Sequence, residues 1–242
     1  MCELNRDILY SIFEILKDDK KNFPSCLLVN KTWCEMSVPI LWRDPWKYLN
    51  MKQKASLLNV IISHLSDETK NNLIKNQKIF INSFNTNNIN SYQKPLLFNY
   101  INFCKHLNLN IIMNMISIIV TSKKSILQNE IFNLFINENA KYTHLYISKE
   151  FDFQIHLIPG SQLCLSEIEF LSCNTRINDN ILIGLTKICK FIKEFEIIIK
   201  VNNNNYGIIR LIESQKKLFK LIYLILFMLT VINHFVKLLK IH

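Results

Sequence analysis

An apolar spacing that recurs four times after residue 140 constrains the fold of this chain more than any other feature of its sequence. Each copy has the form apolar-x-x-apolar-x-apolar, and the copies begin at Tyr142, Leu165, Ile192 and Leu218, at intervals of 23, 27 and 26 residues. Self-similarity at a period of about 20 to 50 residues is typical of stacked supersecondary units. The alternation at the end of each copy predicts a strand. We therefore expect a regular array of strands in residues 141–242.

The second copy resembles a cysteine-containing leucine-rich repeat. Repeats of that class have an L-x-x-L-x-L strand core and a period of about 20 to 29 residues. After its apolar triplet, this copy continues with Cys173, Ile177-Asn178-Asp179, Leu182, Leu185, Cys189 and Ile192. The resemblance implies that Cys173 lies at the turn after the strand and Cys189 on the inner face of the return helix. Both cysteines are then structural.

Four glutamates occupy the positions between the apolar residues of two copies. They are Glu167 and Glu169 in the second copy, and Glu194 and Glu196 in the third. If neighbouring strands are in register, the four carboxylates line one surface. Two interpretations remain open: an acidic patch that binds a protein substrate, as repeat arrays do on such faces, or the solvated side of alternating strands.

The first 46 residues form a second distinct region, which contains all three tryptophans of the chain. Asn5 is a good N-cap residue, and the apolar residues that follow it recur with the period of one helical face. Pro24 and Pro39 each suit the first turn of a further short helix. A unit this small buries too little surface to be stable alone, so we expect it to dock on another surface.

This region resembles the F-box. Leu4-Asn5-Arg6-Asp7-Ile8-Leu9 is similar to the L-P-x-E-I-L opening of that family, Val29-Asn30-Lys31-Thr32-Trp33 to its V-C-K-x-W segment, and Leu41-Trp42-Arg43 to its L-W-R ending. The close, PILWRDPW, is similar to that of large fungal F-box families. Asn5 replaces the usual proline, and the charged loop after Leu16 is slightly longer than usual. The whole chain thus resembles a fungal F-box protein with C-terminal leucine-rich repeats.

The resemblance implies a substrate-recognition adaptor of a Skp–cullin–F-box E3 ubiquitin ligase. The F-box would dock on the Skp linker protein, and the repeats would hold an unknown protein substrate. The side chains expected to dock on Skp are Leu4, Ile8, Leu9, Ile12, Leu28, Trp33, Leu41 and Trp42, of which about half should serve the core alone. The alternative is a non-catalytic repeat scaffold without ligase coupling. Neither function makes this chain an enzyme.

Composition argues against several other classes of function. The three glycines, Gly160, Gly184 and Gly207, are too far apart for a loop that cradles phosphates. The net charge is +10, but the basic residues are scattered, so we expect no nucleic-acid partner. The histidines and seven cysteines form no close ligand pairs, which predicts neither a metal nor a cofactor. With no signal-like N-terminus, the cysteines indicate reduced thiols in a cytoplasmic or nuclear protein.

We therefore predict a mainly α N-terminal half followed by a short α/β leucine-rich-repeat solenoid. Residues 1–48 form the three-helix F-box, residues 49–140 a helical linker region, and residues 141–242 a short or truncated repeat array. An Asn-rich loop is expected at 79–95. The apolar run from Leu221 to Ile232 is too short to span a bilayer, for which about 20 residues are needed, so we expect it in the core and no membrane attachment.

Overall fold

The computed structural model describes residues 5–19, 21–47, 49–75, 96–118, 124–147, 151–199 and 205–225. The N-terminal region comprises helix α1 (Arg6–Leu16), a 3-10 segment (Phe23–Leu28) and helix α2 (Lys31–Leu41). The predicted cap of α1 is confirmed, because the Asn5 side chain accepts a hydrogen bond of 3.1 Å from the Asp7 N–H. The N-terminal region has a core of its own, formed by Leu9, Phe13, Phe23, Cys26 and Ile40.

The helix predicted to begin at Pro39 does not form. Pro39 lies inside α2, which Asn30 caps by accepting a hydrogen bond of 2.8 Å from the Trp33 N–H. The helix predicted to begin at Pro24 is a 3-10 segment that ends at Leu28, and a separate helix, α2, begins after Asn30. Pro39 lies in the last turn of α2, where it has no N–H to donate to the carbonyl of Glu35.

Two helices and a 3-10 segment then lead into a parallel sheet. The helices are α3 (Met51–Ser63) and α4 (Asp67–Lys75), and the 3-10 segment is Tyr100–Phe103. The strands alternate with helices in the order β1 (His106–Asn108), α5 (Leu109–Ile118), α6 (Lys124–Phe135), β2 (His144–Ile147), α7 (Ser161–Cys164), β3 (Phe170–Asn174), α8 (Asp179–Ile188), β4 (Glu194–Ile199), α9 (Tyr206–Glu213) and β5 (Lys220–Ile225). The five strands are all parallel and lie in chain order.

The predicted fold class is wrong. We expected a mainly α half and a separate leucine-rich-repeat solenoid from residue 141, but the described residues form an α/β fold with a five-stranded, all-parallel sheet. Its first strand, β1, lies within the supposed helical linker, and α5 and α6 connect β1 to β2. One hydrophobic core extends from Trp46 to Leu211 and includes residues on both sides of position 140.

The predicted strand of the second copy is also misplaced. Leu165 and Ile168 are buried, but they precede β3, and Leu171 and Cys173 hold the inward strand positions beside Leu145 and Ile147 of β2. Cys173 therefore lies in the strand and not at the turn after it. The intervals between copies become 26, 24 and 26 residues when the second copy begins at Ile168, which is more regular than the spacing that we first inferred.

The N-terminal region is joined to the sheet at β1. The Arg43 carbonyl accepts hydrogen bonds from the N–H groups of Lys105 and His106 at 2.8 and 3.2 Å. The Lys105 carbonyl receives two successive N–H groups from the start of β2 in the same way. In addition, the Trp46 indole N–H donates to the His106 carbonyl at 2.6 Å. Residues 43–46 thus continue the hydrogen bonding of the sheet past its first strand.

The apolar run that begins at Leu221 is only partly described. Its first residues belong to β5, where Tyr223 and Leu224 are exposed, so this part is not the buried segment that we expected. The remainder of the run and the predicted loop at 79–95 lie outside the described residues. Within the residues that the structure describes, no helix is both long enough and apolar enough to cross a bilayer.

Candidate functional site

The N-terminal region exposes several large apolar side chains. Ile8 is 50% exposed and Ile15 is 81% exposed on α1, while Leu28 is 87% and Val29 is 55% exposed at the end of the 3-10 segment. Ile8 and Ile15 are seven residues apart, so they lie on one face of α1, beside the face that packs into the small core. We call these four residues the apolar patch. Exposed apolar residues concentrated in one small unit are typical of interaction surfaces.

The structure separates the residues predicted to dock on Skp into three groups. Ile8 and Leu28 are exposed and belong to the apolar patch, whereas Leu9 is buried in the small core. The others are partly buried: Trp42 packs against the main core, and the small core is contacted by Ile12, Trp33 and Leu41. Leu4 lies outside the described residues. Ile15 and Val29 were not among the predicted docking residues.

An ion pair fixes α1 against the end of α2. Arg43 donates to both oxygens of the Glu14 carboxylate, at 2.5 and 3.2 Å, and to the Tyr10 hydroxyl at 3.1 Å. The hydrogen bond from the Arg43 guanidinium lowers the pKa of Glu14 to about 2. Because the carbonyl of the same Arg43 receives the N–H groups that begin β1, one residue connects the N-terminal region to the sheet.

The second candidate surface is the face of the sheet opposite the core. Two rows of side chains cross it in register. The first row is His106, His144, Phe170, Glu194 and Lys220, and the second is Asn108, Tyr146, Ser172, Glu196 and Ile222. We call these ten residues the ladder face. Neighbouring strands are about 4.8 Å apart, so side chains within a row are in contact distance of each other.

Aromatic rings occupy the β1, β2 and β3 part of the ladder face. The rings of His106 and His144 stack with centroids 3.8 Å apart and an interplanar angle of 7°. Phe170 lies 5.3 Å from the His144 ring and 5.4 Å from the Tyr146 ring. This sequence of stacked rings gives the face a continuous π surface, and all four side chains remain partly exposed.

The electrostatic environment keeps the two stacked histidines neutral near pH 7. Burial, together with the positive charges of Arg43 and Lys47, lowers the pKa of His106 to about 4. Burial and the neighbouring His106 lower the pKa of His144 to about 4. The Asp44 carboxylate lies 3.3 Å from His106 Nδ1, and burial raises the pKa of Asp44.

The four glutamates predicted as a substrate face do not lie on one row. Glu167 and Glu169 precede β3, where they pair with Lys141 at 2.5 Å and Lys193 at 2.6 Å. Glu194 and Glu196 do belong to the ladder face, since both are outward residues of β4. The outward residues of β3 are instead Phe170 and Ser172, because the strand begins three residues later than predicted.

The two carboxylates on β4 have different partners. Glu194 pairs with Lys220 of β5 at 2.9 Å. Glu196 accepts a hydrogen bond of 2.6 Å from the Ser172 hydroxyl. Among the described residues, no lysine, arginine or histidine nitrogen comes within 4.0 Å of the Glu196 carboxylate. Glu196 is therefore a carboxylate held in position by a neutral donor, one strand away from the aromatic rings.

The cysteines and acidic groups do not converge on a chemical centre. No group of three or more His, Cys, Asp or Glu side chains within the described ranges could hold a metal ion. Burial raises the pKa of Cys173 and Cys189 to about 12, so these thiols stay protonated at neutral pH. Comparison of the chain with family models, with curated proteins and with solved structures finds no match. The apolar patch and the ladder face are therefore the two candidate functional surfaces of the described residues.

Proposed function

We propose that the protein is a substrate-recognition adaptor of a Skp–cullin–F-box E3 ubiquitin ligase. In this proposal the apolar patch docks on the Skp linker protein, and the ladder face binds the protein substrate. The chain performs no bond-making step. It holds the substrate near the ligase and so raises the effective concentration of the substrate there.

The observation that carries the proposal is the apolar patch on a unit whose sequence resembles the F-box. Five buried residues form the small core, whereas Ile8, Ile15, Leu28 and Val29 all remain at least half exposed. Burial of an exposed Leu or Ile side chain contributes about 1.5 to 3 kcal/mol. Four such side chains can therefore drive association without charge, even though the chain carries a net charge of +10.

The connection between the two surfaces also favours an adaptor. Residues 43–46 bind β1 through backbone and indole hydrogen bonds, and Trp46 packs in the main core with its ring 5.7 Å from that of Phe135. A substrate on the ladder face would thus be held in a fixed direction relative to the docking partner. A rigid connection keeps the substrate at one position relative to the docking partner. The effective concentration of the substrate at that position is then higher than a flexible linker would give.

Co-purification with a Skp-type linker protein tests the proposal. We expect the wild-type chain to capture Skp, and Leu28→Asp to reduce capture at least about tenfold, because a carboxylate must then be desolvated in the interface. Leu157→Asp is the matched control, since Leu157 is 71% exposed and lies outside the N-terminal region. Exposed substitutions rarely alter folding stability by more than about 0.5 kcal/mol, which circular dichroism melting can verify.

Two results would contradict the proposal. Wild-type chain that captures no Skp would favour the alternative, a scaffold protein without ligase coupling. Equal capture by the Leu28→Asp and Leu157→Asp variants would show that any Skp association does not use the apolar patch.

A further inference from the structure

The ladder face carries an aromatic surface next to one carboxylate that has no cationic partner among the described residues. Tyr146 and Phe170 supply two partly exposed rings with centroids 5.4 Å apart. Glu196 follows in the same row as Tyr146, separated from it by Ser172 alone. The other three glutamates near this surface are already neutralised by Lys141, Lys193 and Lys220.

These features suit one kind of ligand group. A cation within about 6 Å of a ring centroid is attracted by the negative face of the ring. A guanidinium is planar and can stack on an aromatic ring while its edge donates two parallel hydrogen bonds to a carboxylate. An ammonium group is a compact point charge, so it can neither stack as a plane on a ring nor donate two parallel hydrogen bonds from one rigid edge. The combination of rings and carboxylate therefore favours arginine over lysine.

We propose that Phe170, Tyr146 and Glu196 form a recognition site for an arginine side chain of the bound protein. The guanidinium stacks over the two rings and donates to Glu196. The Ser172 hydroxyl, which donates to Glu196 Oε1 at 2.6 Å, fixes the carboxylate in the required direction. This inference deepens the proposed function and rests on it, because it names the chemistry of the substrate that an adaptor would hold.

The environment of the site also discriminates against other partners. The Glu196 carboxylate, which has no cationic partner among the described residues, disfavours a phosphate backbone beside the rings, so this face is poorly suited to nucleic acid. The overall charge of +10 repels most cationic proteins at long range. An arginine must therefore be recognised by direct contact, which gives specificity more than fast association. The partner fitted by the face is a protein segment that presents an exposed arginine.

Binding of N-acetylarginine amide to the full-length, 15N-labelled chain tests the inference by NMR titration. N-acetylcitrulline amide is the matched probe, since it keeps the shape of the side chain but lacks the charge. We expect shifts confined to β2, β3 and β4 with the arginine probe and at least about tenfold weaker binding of the citrulline probe. Glu196→Gln should weaken arginine binding about tenfold, and Phe170→Leu about threefold or more.

The matched control variant is Glu167→Gln, which removes a carboxylate that already pairs with Lys141 outside the strands. This variant should bind the arginine probe as the wild type does. Equal binding of the two probes, or equal affinity of the Glu196→Gln and Glu167→Gln variants, would overturn the inference. Skp co-purification with the Glu196→Gln variant is measured in parallel. If the Glu196→Gln variant loses arginine binding but still captures Skp, the arginine site is separate from the Skp-docking surface. If the wild type binds arginine but captures no Skp, the arginine site is supported and the adaptor function is not.

Discussion

Mild acid should weaken the folded state through the two stacked histidines of the ladder face. His106 and His144 both have a folded pKa of about 4, below the ordinary value of 6.5, mainly because of burial. Between those two values the unfolded chain binds more protons than the folded chain, so stability falls as the pH falls. The contribution is complete above pH 6.5 and is lost progressively down to about pH 4.

The size of the expected stability loss follows from the pKa shift of each histidine. One pKa unit corresponds to about 1.4 kcal/mol, so the full shift would give roughly 3 kcal/mol for each histidine. Both rings remain partly exposed, and solvent screening reduces that value. The rings also stack 3.8 Å apart and therefore titrate as a pair. We expect a combined loss of about 1 to 2 kcal/mol in the free energy of unfolding between pH 7 and pH 5.

Urea unfolding at pH 7, 6 and 5, followed by tryptophan fluorescence, measures this loss. His144→Gln removes one titrating ring and should reduce the pH dependence by about half or more. The buried Asp44 acts in the opposite direction, because its raised pKa lets the folded state take up a proton as the pH falls. Both proteins contain Asp44, so its contribution cancels when the pH dependence of the variant is subtracted from that of the wild type. An identical pH dependence in the two proteins would refute the assignment to the histidine pair. Glu14 does not interfere, since the stability from its lowered pKa is lost below about pH 4.5.

Two further substitutions test contacts of the sheet and its helices. Trp46→Phe removes the 2.6 Å hydrogen bond to the His106 carbonyl and part of a buried ring, so we expect a loss of about 2 to 3 kcal/mol in urea unfolding, and a loss below about 0.5 kcal/mol would contradict this role. Gly184→Ala would place a methyl group against the His156 ring, so we expect a net loss of about 1 to 2 kcal/mol despite the better helix propensity of alanine. His156→Ala in the same chain should recover most of that loss, and a failure to recover would exclude the clash as its cause.

Local signals in the sequence predicted some elements well. Asn5 and the apolar period after it defined α1, because a cap and an amphipathic face are both local properties. β1 was missed for the opposite reason. It has only three residues, His106 to Asn108, and α5 begins immediately after it, so neither alternation nor a turn marks the strand. Because β1 was missed, residues 49–140 were predicted to be a helical linker, and the first strand was predicted only after residue 140.

The ladder face was predicted only on β4. Two apolar patterns overlap in the second copy, one that begins at Leu165 and one at Ile168, and both sets of residues are buried. Neighbouring strands decide between them, since Leu171 must lie beside Leu145 and Phe195. The more regular interval from Ile168 was the signal in the sequence that could have shown the correct register. With it, Phe170 and Ser172 would have replaced Glu167 and Glu169 as the outward residues.

The hydrogen bonds that the Arg43 carbonyl accepts at the start of β1 also have a consequence for self-association of the protein. The first strand of an open sheet offers unpaired N–H and C=O groups, on which a strand of another molecule can add. Here the N–H groups of Lys105 and His106 donate to the Arg43 carbonyl, and the His106 carbonyl accepts from the Trp46 indole N–H. These backbone groups are therefore already hydrogen-bonded at that edge. We therefore expect the segment that closes the N-terminal region to hinder the addition of a strand from another molecule at this edge of the sheet.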